Sequence, residues 1–100
     1  MKAGIYRYTF NESVSMPEAE ATLQLAILAA ESLFGEATVR LSAGYTIDED
    51  KRVCVLDATN EVGRSICQIY TGYVTHEFGA DAFRVRQVEA AQREPAEVAA

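Results

Sequence analysis

The chain has 100 residues, 49% of them apolar, with nine Lys and Arg against fifteen Asp and Glu and a formal net charge of -6. That length suits one domain with a small core. The acidic balance argues against a general nucleic-acid binder and against adhesion to an anionic membrane surface, since both need an excess of Lys and Arg. No apolar run reaches the roughly 18 residues of a membrane span. The first ten residues read as a strand and lack the basic leader, long apolar run and small-residue cleavage site of a signal peptide, so a cytoplasmic location is expected. Cys54 and Cys67 lie inside predicted regular elements and form no CxxC pair. No structural disulfide is expected.

In chain order, residues 4–10 (GIYRYTF) alternate and are rich in β-formers, which predicts a first strand. Ser15 as cap, Pro17 in the first turn and Glu18 at the positive end predict a helix that runs to Phe34 and stops at Gly35. Residues 37–47 (ATVRLSAGYTI) alternate apolar and polar without a break and predict the second strand. The charged residues 48–51 predict a hairpin turn, and 52–57 (RVCVLD) the third strand. Thr59 or Asn60 is expected to cap a second helix that ends at Gly79. Residues 82–88 (AFRVRQV) predict the fourth strand, and the Ala- and Glu-rich residues 89–100 a frayed tail after a single domain of 1–88.

The order β-α-β-β-α-β is the split β-α-β, or ferredoxin-like, α+β arrangement. Right-handed crossovers place both helices on one face of a four-stranded antiparallel sheet. The expected spatial order is fourth, first, third, second strand. Tyr6, Tyr8 and Phe10 are expected under the helices, with the other sheet face open.

This fold hosts many unrelated functions, so its signatures matter more than its outline. The loop after the first strand has no CxxC for a soft metal and no Gly-rich, Arg-bearing phosphate cradle of the acylphosphatase kind. The third strand carries no stacking aromatics for RNA. An ACT-like regulatory architecture has no specific signal here. No metal or cofactor is expected. His76, the single histidine, follows Asn60 by sixteen residues, about 24 Å along a helix, so Asp57 at the end of the third strand is out of its reach. Cys67 and His76 fall on opposite sides of the same helix. No acid–base pair results, and no catalytic role is expected.

Three features remain. Thr59, Asn60, Gly63 and Arg64 lie at a strand-to-helix junction, where free N–H groups suit an anion, although Glu61 opposes one. Arg7, Arg40, Arg84 and Arg86 are expected on the open sheet face, joined by Arg52 if Cys54 and Leu56 share it. Such a basic face could steer an acidic protein partner, nucleic acid being disfavoured by the net charge. In the first helix, Leu23, Ala26, Ile27, Ala30, Leu33 and Phe34 form the stripe that covers the sheet. Ala21, Leu25, Leu28 and Ser32 then form a second seam on the far side. The second helix instead turns Glu61, Arg64, Gln68, Thr71 and Thr75 outward. Gly72 in mid-helix reflects either a close-packed neighbour or chance. Taken together, these residues point to a protein-interaction module that self-associates, with a homodimer favoured. A small-ligand or anion-binding regulatory domain is the alternative.

Overall fold

The computed structural model describes residues 1–88. Its elements are β1 (Gly4–Phe10), α1 (Met16–Phe34), α2 (Glu36–Ser42), β2 (Tyr45–Asp48), β3 (Val53–Ala58), α3 (Glu61–Phe78), a 3-10 turn (Ala80–Ala82) and β4 (Phe83–Val88). The sheet order is β2-β3-β1-β4, with every neighbouring pair antiparallel. This is the expected ferredoxin-like α+β topology with one added short helix. The expected tail, residues 89–100, lies outside the described residues. Among those described, no helix is long and apolar enough to cross a membrane.

The sheet register follows from side-chain alternation. Tyr8 and Phe10 of β1 and Cys54 and Leu56 of β3 turn inward and join Leu23, Ala26 and Ala30 of α1 and Ile66, Cys67, Tyr70 and Val74 of α3 in one buried cluster. The Tyr8 and Tyr70 rings meet edge to face at 5.2 Å, a contact that adds to their area burial. Their hydroxyls are satisfied, as burial requires. Tyr70 donates to the Ala19 carbonyl at 2.8 Å. Tyr8 Oη lies 2.7 Å from Thr71 Oγ1, whose own proton goes to the Cys67 carbonyl, also at 2.7 Å.

The helix ends match the sequence reading. Ser15 accepts from the Glu18 N–H, and Gly35, at φ 90°, ends α1. Asn60 accepts from the Gly63 N–H at the start of α3. The turn before β3 is closed by Lys51 N–H donating to Asp48 Oδ1.

The second predicted strand is the main correction. Residues 36–42 form α2, and only Tyr45–Asp48 pairs with β3. The alternation of Ala37, Val39 and Leu41 misleads because only Val39 is buried. Leu41 is 88% exposed. Seven residues are too few to separate a period of 2 from 3.6, and Glu, Ala, Arg and Leu all favour helix. The tertiary structure then ties α2 down, because Asn60 Nδ2 donates to the Ser42 carbonyl at 2.8 Å. Asn60 thus caps the start of one helix and holds the end of another.

Smaller departures concern facing. Leu33, expected against the sheet, is 71% exposed in the last turn of α1, where Phe34 takes the inward place. On α3, Cys67 and Val74 are buried and Tyr73 is 40% exposed. Thr71, expected on the outer stripe, is half-buried through its bond to Tyr8. Gly72 has no close-packed neighbour, since a Cβ there would meet nothing within 4 Å.

Candidate functional site

On α1, Ala21, Leu25, Leu28 and Ser32 are all exposed, as their spacing predicts. Leu25 and Leu28 are each 57% exposed. They lie opposite the buried Ala19, Leu23, Ala26 and Ala30, so the middle of α1 carries apolar side chains on its outer side as well. Leu33, in the last turn of α1, and Leu41, in α2, are exposed as well. Sequence reasoning missed these two. Only knowledge that α2 is a helix exposes Leu41, and Leu33 sits on the boundary of the inward stripe. Tyr45, at the start of β2, is held beside α1 by Gln24 Nε2, which donates to its hydroxyl at 3.0 Å.

The sheet face turned away from the helices carries only part of the basic set that was expected. Ile5, Val53 and Val55 are buried there and cluster with Val88. Arg7, opposite Arg86, and Arg84, opposite Thr9, share that face by alternation. Among the described residues, no carboxylate stands within ion-pair distance of these three arginines. Arg40 is not on the sheet, because it belongs to α2 and pairs with Glu36 one turn earlier at 3.8 Å. Arg52 is not on that face either. Cys54 and Leu56 point into the core, and the Arg52 guanidinium donates to the Asn11 and Val14 carbonyls of the loop between β1 and α1. Five expected arginines thus reduce to three.

The junction before α3 brings Thr59, Asn60, Gly63 and Arg64 together as a cap. Asp57 Oδ1 accepts from Thr59 N–H and Oγ1, Asn60 Oδ1 takes the Gly63 N–H, and Arg64 Nη1 donates to the Thr59 carbonyl. A cavity of about 10 Å³ lies beside them, lined by Ile27, Gly44, Asp57, Gly63 and Ile66 among others. That is room for about one water. A wider, open groove of about 230 Å³ runs between Asn11, Asp81 and Arg84.

Titratable chemistry is muted. His76 is exposed on α3. Cys54 and Cys67 are buried free thiols. Burial pushes the Cys54 thiol up to about 12 and raises Cys67 as well. Burial also raises Tyr8 and Tyr70 far above the ordinary phenol range. All four are kept neutral and packed, which is the opposite of an activated nucleophile. Among the described residues, no group of three or more His, Cys, Asp or Glu is placed to hold a metal ion.

The fold and these surfaces define a ferredoxin-like α+β domain that exposes Leu25 and Leu28 on the outer side of α1. Compared with known protein families, with curated proteins and with solved structures, the chain has no significant match.

Proposed function

We propose that this domain is a non-catalytic interaction module that assembles with a second copy of itself through the outer face of α1. One observation carries the reading. Leu25 and Leu28, both 57% exposed, stand in a row between exposed Ala21 and Ser32, on the side of a helix that normally carries charge. The contrast with α3 supports it, since Glu61, Gln68, Thr75, His76 and Glu77 are exposed there and Tyr73 is its one exposed large apolar side chain. Small residues beside the leucines let a second backbone approach. Fully burying a leucine contributes roughly 1.5–3 kcal/mol, and a two-fold contact counts each one twice. The gain matters for a domain of this size, which buries a modest fraction of its surface.

Light scattering coupled to size exclusion tests the reading. Wild type is expected at twice the 11.0 kDa chain mass. The Leu25→Glu, Leu28→Glu double variant is expected at the chain mass with an unchanged circular dichroism spectrum. A folded wild-type monomer at tens of micromolar, or a double variant that keeps the wild-type mass, overturns it.

A further inference from the structure

The two edges of the sheet differ in charge. β1 and β4 carry Arg7, Arg84 and Arg86 and no Asp or Glu. At the opposite edge, the end of β2 and the turn after it carry Asp48, Glu49 and Asp50 against Lys51. From this polarity and the open edge of β4, we infer that β4 receives an extended acidic segment of a partner protein as a fifth strand. Its carboxylates would stand at alternate positions beside Arg84 and Arg86. The contact is separate from the outer face of α1, because α1 holds Tyr45 at the β2 edge and β4 forms the other edge.

The backbone shows which groups the segment would meet. Among the described residues, β4 has a strand on one side only, β1. Asn11 N–H donates towards β4, to the Ala82 carbonyl, while Phe10 N–H turns the other way, to the Arg52 carbonyl. Backbone groups change sides at every residue of a strand. Thr9 and Arg7 therefore bond towards β4, where they stand opposite Arg84 and Arg86. The N–H and C=O groups of Phe83, Val85 and Gln87 then point out of the sheet, and among the described residues no backbone group bonds to them. An added strand lies roughly 4.8 Å away and completes these bonds.

The side chains set the chemistry of the occupant. On the face away from the helices, its residues fall beside Arg84 and Arg86, both exposed. On the helix side they fall beside Phe83 and Val85, half-buried and packed on the core. A segment that alternates carboxylate and apolar side chains fits both faces. Among described residues 80–88, Asp81 is the one carboxylate, and it precedes the strand. A second β4 does not fit. Antiparallel pairing of two β4 strands centred on residues 84 to 86 sets arginine opposite arginine, and like charges directly opposite are destabilising.

Fluorescence anisotropy and amide hydrogen exchange on the full chain test the inference. The probe is a labelled nine-residue peptide of alternating Glu and Val, with a Lys–Val peptide as control. The Glu–Val peptide is expected to bind, and at least about tenfold more weakly to the Arg84→Ser, Arg86→Ser variant, whose exposed substitutions leave the circular dichroism spectrum unchanged. Exchange at the Phe83, Val85 and Gln87 amides is expected to slow about tenfold or more when the peptide is bound. Equal binding of the Lys–Val peptide overturns the inference, as does no binding at millimolar peptide. Binding without slower exchange at those three amides overturns the added strand. Slow exchange there in the free protein overturns it too, because the edge is then already covered, by another copy or by the chain itself. Tighter binding of a ten-nucleotide single strand than of the Glu–Val peptide would make the arginines a phosphate contact instead.

Discussion

Gly63 stands directly against Asp57, so that a Cβ at position 63 would lie 2.0 Å from the Asp57 carbonyl oxygen. The first turn of α3 can approach the end of β3 only because this residue has no side chain. The obstacle is backbone, which cannot swing aside. Gly63→Ala is therefore expected to destabilise the domain by about 2–3 kcal/mol, as overpacking of a closed site does. A urea midpoint equal to wild type would show that the junction has slack.

Gly72 is the counterexample on the same helix. It is exposed, a Cβ there would meet nothing within 4 Å, and its backbone is helical. Gly72→Ala is expected to stabilise by up to about 1 kcal/mol through helix propensity, raising Tm by about 4–8 °C per kcal/mol in a domain of this size. A lower Tm would mean that something packs against this turn of α3.

Alkaline pH should unfold the domain early. Burial raises the Cys54 thiol from 9.0 to about 12 and moves Cys67, Tyr8 and Tyr70 in the same direction. Below pH 9 these groups are protonated in both states, and their contribution to stability is full. Above pH 9 the unfolded chain releases the thiol protons, and above pH 10 the phenol protons, while the folded chain keeps them, so stability falls as pH rises. Each such group costs about 1.4 kcal/mol per pH unit once it titrates only in the unfolded chain. Urea midpoints are expected to be flat from pH 7 to 8.5 on this account and to drop steeply from pH 9 to 11. Cys54→Ala should make the drop shallower. A midpoint that does not change up to pH 11 would contradict the burial of these groups.

Arg52 joins the turn before β3 to the loop before α1. Its backbone is left-handed, at φ 58°, and its guanidinium donates to the Asn11 and Val14 carbonyls. Charge-assisted bonds of this kind are worth about 1.5–3 kcal/mol. Arg52→Ala is expected to lose about that much, and Arg52→Lys to recover only part, because one ammonium cannot reproduce the planar fork. Full recovery by Lys would show that charge alone matters there.

Much of the fold was legible in local chemistry. Ser15, Gly35, Asn60 and Gly79 bound two long helices because caps and stops act within a few residues, and β1 runs over the seven residues whose alternation marks it. The order of elements, with the handedness of crossovers, then fixes the sheet order β2-β3-β1-β4. The outer row of α1 was legible for the same reason, since helical periodicity alone places Ala21, Leu25, Leu28 and Ser32 opposite the buried stripe. Other features depended on distant partners. Residues 36–42 alternate like a strand, yet burial of Val39 and the bond from Asn60 to Ser42 make them a helix, which removes Arg40 from the sheet and exposes Leu41. Arg52 lies on the helix side because Cys54 and Leu56, which share its alternation, are buried there, and the Asn11 and Val14 carbonyls hold its guanidinium. Periodicity and capping are properties of neighbours along the chain. The fate of a short segment or a long charged side chain is set by what the folded chain brings against it.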